Sequence, residues 1–153
     1  MKKQCAVFSS ALLLLIFGCS NLRNEHKHNI IGAWTGKAFV AHQGIQKEWD
    51  AALTFNEDMT VSLSYDINGK QVILTGNYTA NLMKHPALID IHNFGFPKGK
   101  TFYCCLAIAE FPIINTMNIS GIIGECGKVS RPAQFNRNPS NNHQLYLELT
   151  RKK

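Results

Sequence analysis

From residue 30 onward, apolar and polar side chains alternate with a period of two, the signature of half-buried strands. The first strand is Ile31–Val40, with Trp34, Ala38 and Val40 on one face, and Ala41–Lys47 reads as a loop around Gly44. Trp49, Ala51, Leu53 and Phe55 then alternate with Asp50, Ala52, Thr54 and Asn56. Asn56-Glu57-Asp58 turns the chain, and Val61, Leu63 and Tyr65 alternate with Ser62, Ser64 and Asp66. Asn68-Gly69 is the strongest turn signal, because both residues tolerate the positive φ that a type I′ hairpin requires. A two-residue turn there sets Ile67 opposite Lys70, Tyr65 opposite Val72, Leu63 opposite Leu74 and Val61 opposite Gly76. Apolar then meets apolar along the pair, which runs on through Tyr78.

Pro86 opens a fifth strand, with Ala87, Ile89 and Ile91 on one face, and Asn93–Gly99 reads as a Gly/Pro loop. Thr101–Ala109 is apolar on both faces, which requires either a cover over its outer face or a different assignment of faces. Glu110–Asn115 turns the chain, and Met117, Ile119 and Gly121 lead a seventh strand ending near Ile123. Gly124–Asn142 is a long loop, after which Leu145, Leu147 and Leu149 lead the eighth strand with Arg151 on their face. No window past the N-terminal leader has a helical period. The class is all-β, and eight consecutive strands joined mostly by short turns predict an antiparallel up-and-down barrel, with a two-sheet sandwich as the alternative. The inward rows carry large residues (Trp34, Phe55, Leu63, Tyr65, Leu74, Tyr78, Leu147) and small ones (Ala38, Ala51, Gly76, Ala87, Gly121). The small residues either interdigitate with the large ones or cluster and open a pocket of roughly a few hundred Å3.

The first residues follow a different pattern. Lys2 and Lys3 precede an apolar stretch from Ala6 to Phe17, too short to span a bilayer but the right length for the core of a signal peptide. Ile16-Phe17-Gly18-Cys19 closes it, and this tetrapeptide resembles the bacterial lipobox. The resemblance implies cleavage before Cys19 and acylation of that cysteine. Residues 1–18 are then a lipoprotein signal peptide, 19–29 a polar flexible tether, and 30–153 the barrel domain. Ser20, not Asp, follows the cysteine, which implies sorting to the outer membrane, facing the periplasm, in a host with two membranes.

Cleavage there removes 18 of 153 residues and leaves 135, enough for one modest core. Of 16 basic and 10 acidic residues, Lys2 and Lys3 leave with the leader, so the mature chain carries a net +4. No basic run with interleaved aromatics marks a nucleic-acid surface. Three cysteines remain beyond the lipid-bearing one: Cys104, Cys105 and Cys126. Neighbours on a strand point to opposite faces, so Cys104 and Cys105 do not bond to each other, and one bridge to Cys126 is open to either. His26-x-His28 has no further ligand nearby and reads as solvated tether, while His42, His85, His92 and His143 are scattered over separate loops and strand edges. No nucleophile, zinc or phosphate-loop motif is present, so neither an enzyme nor a cofactor is expected.

Gly32-x-Trp34 at the start of the first strand and Arg151 at the end of the last resemble the lipocalin pattern. There the tryptophan plugs one end of the barrel and a late arginine packs over it. Leu53-Thr54-Phe55-Asn56-Glu57-Asp58, Gly99-Lys100-Thr101 and Arg131-Pro132-x-x-Phe135, in that order before a Leu-rich last strand, are similar to an uncharacterised family of small secreted bacterial lipocalin-like proteins. That family often has a tight glycine turn where this chain has Phe111-Pro112-Ile113-Ile114. The resemblance implies fold and place, and no activity. Two functions follow as expectations. One is a membrane-anchored envelope lipoprotein whose barrel binds a small apolar or amphipathic ligand. The other is an envelope interaction or inhibitor protein with a filled barrel, for which the positive charge favours an acidic partner.

The leader generates the first test. Metabolic labelling with a fatty acid is expected to mark the protein, and Cys19→Ala to abolish the label; an unlabelled wild type refutes the assignment.

Overall fold

The computed structural model describes residues 30–42, 45–67, 69–96, 101–141 and 143–153, without the side chain of His42. The leader, Cys19 and His26-x-His28 lie outside these residues. Eight strands follow in order: β1 (Gly32–His42), β2 (Ile45–Phe55), β3 (Thr60–Ile67), β4 (Lys70–Asn81), β5 (Ala87–Gly95), β6 (Tyr103–Glu110), β7 (Thr116–Gly124) and β8 (Gln144–Arg151). Each pairs antiparallel with its neighbour in sequence, and β8 returns to β1, so the sheet is a closed up-and-down barrel and not a sandwich. Closure leaves no strand edge unpaired. The unit Ile31–Lys153 holds every strand, the disulfide and all of the buried core except Ile30.

The β3–β4 hairpin has the register that its turn dictates, from Ile67↔Lys70 through Tyr65↔Val72 and Leu63↔Leu74 to Val61↔Gly76. Gly69 takes a φ of 78°, and its N–H donates to Asp66 Oδ1 at 2.7 Å. Two expected loops are shorter than the sequence suggested. Ala41–Lys47 is mostly strand, since β1 and β2 stay paired out to His42↔Ile45. Asn93–Gly99 begins as strand, because β5 continues to Gly95 across a bulge between Ile91 and Phe94. Asn93 holds a φ of 53° there, a conformation asparagine tolerates better than most residues, and the extra residue shifts the alternation so that Phe94 joins the inner row.

Two glycines permit backbone contact. A Cβ on Gly36 would stand 1.9 Å from Glu148 O, so only glycine lets β1 lie this close to β8. A Cβ on Gly76 would meet His92 O at 2.7 Å, beside the β5 bulge.

The strand that is apolar on both faces is covered, as one of its two readings requires. Outward-facing Phe39, Ala41, Cys104, Ile108, Ser120 and Tyr146 are all buried. Above this wall runs the segment joining β7 to β8, which acts as a strap. Cys126 bonds to Cys104, with the two Cα atoms 4.9 Å apart. Arg131 pairs with Asp90 and donates to the backbone oxygens of Ala107 and Ile89. Arg137 lies over the Phe39 ring at 5.1 Å and pairs with Glu148 at 3.0 Å, while its backbone oxygen accepts from Gln46 Nε2 at 3.1 Å. Cys105, one residue from the bridge, points inward; burial above all, with the nearby Asp90 charge, pushes its thiol up to about 12, partly offset by Arg131.

The bridge closes a loop with a sequence separation of 22 residues. Loop-closure entropy for that length predicts that Cys126→Ser lowers stability by about 3 kcal/mol. Urea unfolding of the two proteins under oxidising conditions measures it, and equal midpoints would show that the strap's other ties suffice.

Candidate functional site

The two ends of the barrel differ. At one end Trp34 is 0% exposed, Met117 0% and Phe55 1%. The Arg151 guanidinium lies 4.7 Å from the centre of the Trp34 ring, and the two residues are cross-strand partners where β1 meets β8. Phe55 and Tyr78 meet edge to face at 4.8 Å, and the Tyr78 hydroxyl donates to Asn56 O at 3.0 Å. Burial raises the Tyr78 hydroxyl above its ordinary pKa, with the Asp58 charge adding to the shift. Backbone bonds from Arg151 N to Asn115 O and from Lys152 N to Ala33 O, each 2.8 Å, tie the last strand to its neighbours. This end is closed by packed side chains.

The middle is filled as well. Gly121 faces Cys105 so closely that a Cβ would stand 2.9 Å from the sulfur. Gly121 thus packs directly against Cys105, and Ala38, Ala51, Gly76, Ala87 and Gly121 line no part of the interior cavity described next.

Towards the other end the same inner rows open. Val40, Trp49, Tyr65, Val72, Leu74 and Ile123 are half-buried, and Tyr103 is 43% exposed. Here lies a cavity of about 420 Å3 lined by Tyr65, Leu74, Phe94, Phe96, Tyr103 and Ile123, with Gly95 and Thr101 at its edge. Trp49 stacks on Tyr65 at 5.3 Å, with the ring planes 11° apart, which fixes one wall. Burial raises the Tyr65 hydroxyl above its ordinary pKa, so it stays a neutral donor at physiological pH. A larger hollow of about 660 Å3 lies mainly over the outer faces of β1 to β4; it is the more open of the two, and its Lys37 and Asp50 already pair at 2.8 Å. Enclosure and apolar walls make the mouth the better candidate for holding a molecule.

Tyr65 and Leu74 follow from strand alternation, but Phe94 does not, because the bulge at Asn93 resets the count along β5. The signal was Asn93 itself, an asparagine between two apolar stretches, where left-handed backbone is tolerated. The histidines do not converge: His85 sits in the β4–β5 loop, His92 meets Cys104 Sγ at 3.5 Å on the outer face, and His143 lies at the base of the strap. Among the described residues no group of three or more His, Cys, Asp or Glu is placed to hold a metal ion. Cys19 lies outside the described residues. Comparison with protein families, curated proteins and solved structures gives no match to this chain.

The closed end yields a stability test. Trp34→Ala is expected to destabilise the fold by about 3–5 kcal/mol, as large-to-small core changes do. Arg151→Ala removes a ring contact and is expected to cost about 1 kcal/mol. Denaturant titration of both variants measures the difference, and a Trp34→Ala cost below that of Arg151→Ala would contradict it.

Proposed function

We propose that the chain is an envelope lipoprotein, anchored through acyl chains on Cys19, whose barrel holds a small apolar or amphipathic molecule in the cavity at its open end. The cavity carries this reading: about 420 Å3, walled by aromatic and aliphatic side chains, with Tyr65, Thr101 and Tyr103 as its hydroxyl-bearing residues. Ligand sites commonly fall at about 300–1,000 Å3 and combine apolar walls with a few polar groups in this way. Barrels of eight strands are just wide enough to hold one small ligand. Filling is confined to the closed end and the middle, so the space at the mouth is not packing left incomplete throughout. The lipobox-like Ile16–Cys19 supports export and anchoring, on the outer membrane facing the periplasm in a host with two membranes.

The reading is of a carrier or sensor, not an enzyme. Among the described residues the free thiol is Cys105, which is buried and held protonated. The tyrosines of the cavity have no histidine or carboxylate among its lining residues to take a proton. A second reading, an interaction protein, draws on Met83, Ile113 and Ile114, exposed in loops at the closed end.

Native mass spectrometry of the domain purified from its own host, with displacement of a fluorescent fatty acid, decides between them. A co-purified molecule and a displaceable probe are expected, and Leu74→Trp, which fills the cavity, is expected to abolish probe binding while the fold persists. No molecule and no displaceable probe would overturn the carrier reading in favour of the interaction protein.

A further inference from the structure

Phe111-Pro112-Ile113-Ile114 lies in the turn from β6 to β7, at the closed end, and presents its two isoleucines to water. Ile113 is 68% exposed and Ile114 80%. The turn is firmly held. Thr116 Oγ1 donates to Ile113 O at 2.9 Å and accepts from Ile113 N at 3.1 Å, and Thr116 N donates to the same oxygen at 3.1 Å. Nothing in those bonds requires apolar side chains at the tip, and at that exposure the isoleucines add little to the core.

Around the closed end, the strand order sets the joint of β8 with β1, the β2–β3 turn, the β4–β5 loop and the β6–β7 turn in a ring. The β6–β7 turn therefore stands between the β4–β5 loop and the joint, and across the ring from the β2–β3 turn. Both of its neighbours are basic. Lys84 follows exposed Met83 in the β4–β5 loop, and Lys152 and Lys153 follow β8. All three lysines are exposed, and none pairs with a carboxylate among the described residues. The bonds from Arg151 N to Asn115 O and from Lys152 N to Ala33 O set the turn, these last lysines and the start of β1 side by side. Glu57 and Asp58 lie across the ring in the β2–β3 turn, where Asp58 accepts from the Thr60 N–H and hydroxyl. Glu110, at the end of β6, accepts from Asn118 Nδ2 at 3.0 Å.

We propose that this side of the closed end docks on the bilayer that anchors the chain. Ile113 and Ile114 enter the acyl boundary with Met83 beside them, and Lys84, Lys152 and Lys153 meet anionic phosphate headgroups. This rests on the acylation of Cys19 and adds a second contact to it. Cys19 stands thirteen residues before Gly32, so even a fully extended chain leaves the start of β1 within about 45 Å of the lipid. The mouth lies a strand length farther on. Tethering raises the effective concentration of the surface, so a contact too weak to hold a free protein holds this one. Apolar side chains flanked by lysines suit the headgroup region of an anionic membrane. A protein partner fits less well, because three apolar side chains on two loops, with lysines beside them, fall short of the continuous patch that a stable interface buries. Docked in this way, the barrel turns its mouth away from the membrane.

The test uses the acylated chain on vesicles of phosphatidylethanolamine and phosphatidylglycerol that contain a nitroxide lipid. A polarity-sensitive dye is attached at Met83→Cys or, at the mouth end of β4, at Lys70→Cys; the free thiol Cys105 is buried and stays unlabelled. The nitroxide is expected to lower emission at position 83 by roughly twofold and to leave position 70 unchanged. Ile113→Ser with Ile114→Ser is expected to restore emission at 83, and because both residues are exposed the pair should melt with the wild type. Lys152→Gln with Lys153→Gln, or added salt, is expected to weaken the quenching. Quenching that survives the serine pair overturns the isoleucine assignment. Equal quenching at 83 and 70, or none at 83, overturns the docking. A dye at 83 that is shielded from aqueous iodide in intact envelopes yet unquenched on the vesicles marks a protein partner and overturns the lipid one. Failure of the chain to float with the vesicles overturns the anchoring itself, and the docking falls with it.

Discussion

The fold depends on a single joint, the pairing of the last strand with the first. Seven hairpin contacts are local in sequence and form between neighbours; β1 with β8 brings together residues more than a hundred positions apart, from Trp34↔Arg151 to Val40↔Leu145. Without it, two long strands would present unpaired backbone to solvent. The joint is made tight by an absence, the missing side chain of Gly36, and capped by a presence, the Trp34 ring beneath the Arg151 guanidinium. Packing spreads from there: Phe55, Tyr78 and Met117 fill the floor because the joint has fixed the circumference they must fill.

A closed circumference also explains the strap. Inward and outward residues alternate, so a strand rich in aliphatics on both rows, such as β6, must leave apolar groups outside. Burying Ile108 and Tyr146 there requires a second layer, and the chain supplies it with 125–141, held by one covalent bond and two arginines. The strap reaches beyond the surface it covers. The β2–β3 register ends at Ala51↔Tyr65, so residues 45–50 of β2 extend past that pairing, and the bond from Gln46 to Arg137 O fastens their outer side. The position of Trp49, and with it one wall of the mouth, is thus linked to the strap.

Much of this was legible in the chain. Period-two alternation located all eight strands, and Asn68-Gly69 gave the register of a hairpin residue for residue, because turn chemistry and pleat alternation are local. The inward rows followed from Trp34 to Tyr78 for the same reason. Legibility stopped where one residue depends on a distant one. Nothing near Gln43-Gly44 says that β1 and β2 remain paired to His42↔Ile45, since that extension leans on the strap. Nothing near Cys104 says that it, and not Cys105, takes Cys126; the choice depends on which face the strap crosses. The cavity lay beyond reach because a bulge moves Phe94 across the sheet, and simple alternation carries no sign of an inserted residue.

That bulge divides the molecule into two regions with different tolerance to change. Below Asn93, adding or removing a residue in β5 would throw Ile91, Ile89 and Ala87 out of phase with β4 and β6, and the floor would be lost. Above it, the strand has already slipped once and the chain passes into the stretch joining β5 to β6, so a change of length alters the lining while the pairing below is undisturbed. A lineage carrying this barrel can therefore exchange the contents of its mouth through small insertions and deletions at one place, while the half that makes the protein stable is inherited unchanged.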